Sequence, residues 1–487
     1  MIVLDIDSKT PLYLQIYNQL KDQIISGEII AGSKLPSTRK LSIQLNVSRN
    51  TVESAYMQLS SEGYIGSKAG SGFFSLKLDN SFISNLKNKN MSSQKIEPNT
   101  QKNSSLSNDI YNSFDNSSDD YYQYNFEYGK LSASDFPLRI WKRISNKCLS
   151  NLNAEDMISY GSRTGENELQ IEIMNYLKRS RGVTCKSEQI IISSGMGYCL
   201  SLLCQLFRED FNQIALEDPG YTGAKDIFIN NGYKVNPINL EADGIDINEL
   251  ENSKSRIVYV TPSHQFPTGV VIPIAKRLKL LDWAIRNQGI IIEDDYDSEF
   301  KYNSKPIPSI QSIDSNGTVI YIGTFSKALS PSLRINYMVL PNNLLEKFHQ
   351  NFKMYQSPVP LLEQKIIQQF IKLGHYERHL RKIYLINKRK YNILINAIKE
   401  FLGQNVTIHA QNAGLHILLE VNNGLTEKVL IETAKNCSVR VYPVSLFWMQ
   451  KHKYKDNMVL LGFGSMLEQD IVDGIKLLKK AWFDNMY

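Results

Sequence analysis

Thr318-Val319-Ile320-Tyr321-Ile322-Gly323-Thr324-Phe325-Ser326-Lys327-Ala328-Leu329-Ser330-Pro331-Ser332-Leu333-Arg334 is the stretch on which the fold turns. Its apolar first part, Val319 to Ile322, reads as a buried strand, and the chain then presents Thr324, Ser326, Lys327 and Arg334 in quick succession. A lysine set between hydroxyls and an arginine reads as an amine open to an aldehyde, beside donors for a phosphate. On either side of it, short apolar runs alternate with longer amphipathic segments. Gln189 to Ser193, Gln213 to Leu216, Arg256 to Val260 and Gly289 to Glu293 read as further buried strands. The pattern is that of an α/β fold with a mostly parallel sheet and helices between the strands. In such sheets ligands sit beyond the carboxyl ends of the strands, and the candidate site residues all fall there.

An aldehyde cofactor that suits this lysine is pyridoxal 5′-phosphate (PLP), whose ring is an electron sink only while its pyridine nitrogen stays protonated. A carboxylate beside that nitrogen favours the cation, and Asp294, directly after the run ending Ile292-Glu293, is the candidate. Tyr296, two residues on, is a candidate donor to the phenolate oxygen of the ring. Ser194-Gly195-Met196-Gly197 follows a strand and opens a helix, where free N–H groups bind anions; Thr324, Ser326 and Arg334 add hydroxyls and a guanidinium. Tyr221, in Glu217-Asp218-Pro219-Gly220-Tyr221, is placed to stack on the ring. His264 and Gln265 are polar groups available to it from the loop Thr261 to Gly269.

The first 76 residues read differently. Tyr13, Ile16, Tyr17, Leu20 and Ile24 recur at helical spacing, and Gly27 stops that helix. Ser37 and Ser48 are N-cap candidates for two further helices, with a turn at Asn46 between them. Val52, Ala55, Tyr56 and Leu59 share one face of the third helix, and Tyr64 to Phe74 fits two strands joined by a glycine-bearing tip. That is the order of a winged helix-turn-helix. A recognition helix meets base edges with its N-terminal residues, so Ser48, Arg49, Asn50 and Thr51 are candidates for contact with double-stranded DNA. Arg49 is best suited to guanine. Arg39 starts the preceding helix; Lys68, Gly70 and Gly72 of the wing are placed to approach the backbone or minor groove. Glu53 opposes nonspecific binding or favours cytosine.

Between the two regions, about residues 77–120, the composition shifts to Asn, Ser, Lys, Asp and Gln, and a flexible linker is expected. The whole chain of 487 residues carries 42% hydrophobic and 21% charged residues, a formal charge of +6 and a pI near 8.7. That charge permits a polyanionic partner without requiring one. Residues 1–78 hold eight Lys and Arg against six Asp and Glu, so DNA recognition must rest on placement rather than bulk charge. Five cysteines, Cys148, Cys185, Cys199, Cys204 and Cys437, lack metal-site spacing and leave one over from any pairing. No metal is expected. With no signal-like start and no apolar run of about twenty residues, a cytoplasmic protein is expected, with no export and no membrane span.

From Tyr121 onward the motifs together resemble the fold-type I, class I aminotransferases: Ser194-Gly195, the Tyr221 segment, Pro267-Thr268-Gly269, Asp294 with Tyr296, and Lys327 with Arg334. The front is similar to GntR-type regulators through Pro11-Leu12-Tyr13, Leu35-Pro36-Ser37-Thr38-Arg39, Val47-Ser48-Arg49-Asn50-Thr51-Val52 and the Gly70-Ser71-Gly72 wing. The combination resembles the MocR/GabR family of transcriptional regulators. The resemblance implies a GntR-type winged helix-turn-helix (1–76), a linker (77–120) and a PLP-binding effector and dimerisation domain (121–487). That last domain is expected to hold a large domain on a mostly parallel sheet and a smaller C-terminal α/β domain.

It further implies a head-to-tail, domain-swapped homodimer. Its effector is expected to be an amine, an amino acid or PLP itself, and its targets genes of amino-acid, amine or vitamin B6 metabolism. By residue, Lys327 matches the lysine that bears the cofactor, Asp294 its pyridinium partner, Arg334 its phosphate arginine, and Tyr160 a tyrosine that reaches the phosphate of the neighbouring subunit. Three positions depart. Phe266 stands where aminotransferases commonly carry Asn, Met196 where a hydroxyl often helps hold phosphate, and Leu460 where many carry the arginine that grips the substrate carboxylate. Arg163 and Arg440 are the available substitutes. Loss of that bidentate anchor points to sensing with little or no turnover; an active aminotransferase with an accessory DNA-binding domain is the alternative.

Overall fold

The computed structural model describes residues 2–5, 8, 10–68, 72–77, 122–302, 308–411 and 413–484. Nearly all of the expected linker, and Gly70 of the wing, lie outside the described residues.

The front module has α1 (Leu12–Ile25), α2 (Thr38–Gln44) and α3 (Arg49–Ser61), followed by the antiparallel pair β1 (Ile65–Lys68) and β2 (Gly72–Ser75). Its helix starts follow from side-chain capping. The Ser37 hydroxyl accepts the Lys40 N–H at 3.1 Å and the Ser48 hydroxyl accepts the Thr51 N–H at 3.1 Å, each cap worth about 1 kcal/mol. Asn46 takes a left-handed conformation, φ 52°, and makes the turn between α2 and α3. Ile16, Leu20, Val52, Ala55, Tyr56 and Leu59 form the core.

That core does not close on its own residues. Ile274 and Leu278, from a large-domain helix (Ile274–Arg286), are buried in the same cluster. Glu62, just past α3, is buried with them; it accepts from Tyr17 Oη at 2.5 Å and from Gln58 Nε2 at 3.1 Å.

The large domain is built on one sheet. Its order is β4 (Ile190–Ser193), β11 (Asn336–Val339), β10 (Val319–Thr324), β9 (Ile290–Asp295), β8 (Ile257–Val260), β5 (Gln213–Asp218), β6 (Lys234–Glu241) and β7 (Gly244–Ile245). The central pairings are parallel, whereas β11 runs antiparallel to both neighbours and β7 antiparallel to β6. The five strands expected from the sequence are all present. β6, β7 and β11 are additional, and β11 is the strand that returns the chain from Arg334 into the sheet.

The smaller C-terminal domain holds an antiparallel sheet ordered β12 (Val406–His409), β13 (His416–Val421), β16 (Met458–Gly462) and β15 (Tyr442–Pro443). It is reached through a long helix, His375–Phe401. A two-residue strand, β3 (Tyr124–Asn125), pairs in parallel with β14 (Val439–Arg440), so the segment that follows the expected linker is fixed to the small domain. The five cysteines carry no disulfide. Among the described residues no helix is long and apolar enough to cross a membrane.

Candidate functional site

Lys327 follows the carboxyl end of β10, and its Nζ lies 4.3 Å from the centroid of the Tyr128 ring. Burial lowers its pKa, against the opposing pull of Asp297 and Asp294, so an uncharged, nucleophilic amine is favoured. Gly129 has φ +88°, a conformation that favours glycine, and a Cβ there would come 2.5 Å from Nζ and displace the lysine tip.

β9 ends in two neighbouring acids that point to opposite faces. Asp295 is held by Arg181 (Nε to Oδ2, 2.5 Å) and by Tyr321 Oη at 2.6 Å. Asp294 takes a hydrogen bond from Tyr259 Oη on one oxygen, while its other oxygen, Oδ1, is buried without a partner. Burial, with Asp295 and Asp297 nearby, pushes the Asp294 carboxyl up to about 7, although Tyr259 and Lys327 oppose the shift. A protonated pyridine nitrogen is the group such an oxygen lacks, so the residues present fit PLP at this end.

They fit it at the phosphate end as well. Ser194 is the N-cap of a helix (Gly195–Phe207) and Gly195 has φ +76°. A Cβ at Gly195 would overlap the guanidinium of Arg334, which places that arginine against the open N–H groups of the helix. Thr324 Oγ1 accepts the Ser326 N–H at 3.1 Å, closing the turn before Lys327. Met196 is partly buried against the large-domain core, so its backbone alone is available.

The remaining candidates are placed as follows. Tyr221 is 38% exposed beside the site, its ring 6.5 Å from that of Phe266. Tyr296 Oη donates to the His264 carbonyl at 2.9 Å, which directs it to the loop rather than to the ring position expected from sequence. Gln265 is likewise taken up by the loop. Its Nε2 donates to the carbonyls of Pro219 (2.8 Å) and Phe266 (2.6 Å), and its Oε1 accepts from Thr268 Oγ1 at 2.6 Å. His264 keeps a free group: Nδ1 is 2.8 Å from Asp297 Oδ2 and Nε2 is buried without a partner. Of the two substitutes for the absent Asn, His264 is therefore the available one. Tyr160 is 91% exposed and does not line the site of its own chain.

Sequence reasoning missed four contributors: Tyr128, Gly129, Asp297 and His416. His416 is buried, 5.5 Å from His264 ring to ring, with Nε2 3.0 Å from the Pro267 carbonyl; burial beside His264 pushes its pKa down to about 3. Asp297 lies in the acidic loop after β9, where the run of acids was a signal. The others carry no motif. Leu460 is buried in β16 within a cluster that includes Phe266, Tyr296, Tyr442 and Phe447. Arg163 Nη1 donates weakly to the His349 carbonyl at 3.4 Å, and Arg440 lies over the rings of Tyr122 and Tyr442.

On the front module, Arg39, Arg49 and Asn50 are exposed. Arg49 Nε is 2.7 Å from Glu53 Oε1, an i,i+4 pair that orients the guanidinium along α3. The hydroxyls of Ser48 and Thr51 bond each other at 2.8 Å, so Ser48 serves first as a cap. Gly72 opens β2, and Lys68 closes β1.

Residues 12–74 match the family of bacterial regulatory proteins of the gntR type, and residues 127–419 match aminotransferase class I and II. The fold and site thus define a transcriptional regulator with a PLP-binding aminotransferase-type domain. The chain is 41% identical to the uncharacterized HTH-type transcriptional regulator YdeL of Bacillus subtilis, over 97% of each chain. It is 30% identical to the probable rhizopine catabolism regulatory protein MocR of Rhizobium meliloti, over 99% of this chain and 96% of that one. Among solved structures, the kynurenine aminotransferase of Pyrococcus horikoshii superposes with a TM-score of 0.66 at 25% identity, covering 76% of this chain and 92% of that one. The chain belongs to the MocR/GabR-type family of transcriptional regulators, and its cofactor is PLP.

Proposed function

We propose that the domain carrying Lys327 is a sensor for a small amine, an amino acid or PLP itself, and that it reports occupancy to the DNA-binding module. Bound PLP supplies an aldehyde for amine capture and a ring that withdraws electrons. Lys327 supplies the competing amine, Asp294 holds the pyridine nitrogen protonated, and Arg334 with the Ser194–Gly195 helix start holds the phosphate. Tyr221, Thr324, Ser326 and His264 complete the pocket. The observation that carries the reading is the shared core: Ile274 and Leu278 of the effector region are buried in the same cluster as α3. A ligand that binds one docking arrangement better than another shifts the population, and no turnover is required.

The dividing lines proposed are 1–76, 77–120 and 121–487, with a head-to-tail homodimer in which exposed Tyr160 reaches the partner's phosphate site. The DNA ligand is an operator read by Arg49, Asn50 and Thr51, with Arg39, Lys68 and the wing glycines on the backbone. The genes controlled belong to amino-acid, amine or vitamin B6 metabolism. Titration of operator binding with apo-protein, PLP and a panel of amines tests the reading. A response to PLP alone selects B6 control, a response that needs an amine selects a metabolite sensor, and indifference to all of them overturns it.

Complete placement of Lys327 and Asp294 favours a second reading, an active aminotransferase. The apolar setting of Leu460 weighs against it, because a substrate carboxylate there finds no guanidinium. Sustained multiple-turnover exchange between an amino acid and a keto acid would establish it.

A further inference from the structure

A cleft of about 770 Å³ opens between the helix Leu138–Ser150 and the start of the helix His375–Phe401. Arg139, Arg143, Arg378 and Lys382 line it, together with the apolar side chains of Phe136 and Ile140. Two of the guanidinium groups converge on one imidazole. Arg378 Nη2 is 2.9 Å from His375 Nδ1, and Arg143 Nη2 is 3.4 Å from His375 Nε2. Burial and the two arginines lower the pKa of His375, which favours the neutral ring, and a neutral imidazole has a single acceptor nitrogen. It can satisfy one guanidinium and not both. Arg378 also donates to the Leu373 carbonyl at 2.8 Å.

Two ion pairs lie on the longer helix outside the cleft, Glu377 with Arg179 and Arg389 with Glu468. Among the described residues no carboxylate pairs with Arg139, Arg143, Arg378 or Lys382. The single acid in the lining, Asp135, is buried and acts on His379 and Lys390. Four like charges gathered at one cleft repel one another within a Debye length of about 8 Å. An oxyanion with several acceptors removes that repulsion and takes up the spare guanidinium donors.

The same wall is tied to the cofactor lysine. His379 lines the cleft, and its Nε2–H donates to the carbonyl of Ala328, the residue after Lys327, at 2.8 Å. We propose that this cleft is a second ligand site, for a small organic phosphate, and that its occupancy is felt at Lys327 through His379. The apolar side chains suit the organic part and the arginines the phosphate. The site is separate from the PLP pocket, and its existence does not depend on what that pocket senses.

The test uses full-length protein loaded with PLP, so that the cofactor's own phosphate site is filled. Calorimetric titration with pyrophosphate and with phenyl phosphate should show saturable binding, one site per chain, weakened by salt. The double variant Arg143→Gln/Arg378→Gln, both changes at exposed positions, should bind at least about tenfold more weakly with an unchanged melting temperature. The visible absorbance of the cofactor should shift on titration of the parent protein. In His379→Phe the probe should still bind while that shift is lost. Absence of saturable binding, or equal binding by the double variant, would overturn the site. If the double variant instead loses operator affinity and salt dependence while neither probe binds, the cleft is a DNA-backbone contact and the proposal fails. A cofactor shift that survives His379→Phe would overturn the coupling.

Discussion

The backbone N–H of Ile274 donates to the carbonyl of Glu62 at 2.9 Å. Ile274 is the first residue of its helix and Glu62 is the residue that ends α3, so each supplies the partner that a helix end leaves missing. The helix α3 of the front module and the large domain therefore meet through backbone as well as through the apolar contacts of Ile274 and Leu278.

Truncation of those contacts should loosen the front module selectively. Leu278→Ala is expected to cost about 2–4 kcal/mol of docking, and amide exchange should accelerate across residues 12–68 while β8 to β10 stay protected. Exchange that is unchanged in α3 would show that docking does not depend on this helix.

Glu62 gives the contact a pH dependence. Burial raises its carboxyl above the ordinary glutamate value, against the lowering effect of its bonds from Tyr17 and Gln58. A raised folded pKa means that the stabilisation is complete below the ordinary value and is lost as pH rises through the raised one. Docking should weaken from mildly acidic to mildly alkaline solution, read by the rate of proteolytic release of the front module. Glu62→Gln should remove the slope.

Asp294 behaves in the same sense until PLP binds. With its carboxyl pushed up to about 7, the apo-protein should lose stability as pH rises from the ordinary aspartate range through that value. The pyridinium reverses the preference by favouring the carboxylate. The melting-temperature gain on adding PLP should therefore grow towards neutrality, and Asp294→Asn should flatten it. A gain independent of pH would refute the assignment.

Gly195→Ala should weaken PLP binding by tenfold or more, about 1.4 kcal/mol, because the residue has positive φ and its new methyl displaces Arg334. Titration of the visible cofactor band measures it. Lys327→Ala should abolish that band in the same experiment.

On DNA, Arg49→Ala should cost about 1–3 kcal/mol at the operator and relax sequence choice. Arg39→Ala should weaken all sequences alike and reduce the salt slope by about one. Binding isotherms at several salt concentrations separate the two outcomes, and a uniform loss for Arg49→Ala would remove it from base readout.

Much of this architecture was legible because local chemistry dictated it. Ser37 and Ser48 cap as their positions demand, and the lysine, the acid after β9 and the phosphate arginine lie at strand ends that periodicity marks. What stayed hidden arises between distant segments. Tyr128 and Gly129 enter the site from a stretch without a motif, and His416 comes from the small-domain sheet. Gln265 looked free because one of its partners, the Pro219 carbonyl, is 46 residues away in sequence and the others depend on how its own loop folds back. The docking helix reads as an ordinary amphipathic segment; only assembly shows that its first turn belongs to another module's core. β11 was missed because Asn336-Tyr337-Met338-Val339 is short and starts with a polar residue.

The pairing of β3 with β14 sets an order of events during synthesis. Asn125 and its hydrogen-bond partner Tyr442 are 317 residues apart, so the anchor of the region after the linker cannot form until almost the whole chain has been made. The helices and wing of the front module draw most of their contacts from within themselves and can fold while translation continues. On the proposed sensor reading, a nascent or prematurely ended chain carries a DNA reader before it carries a finished receiver, and the late strand sets when the reader comes under control.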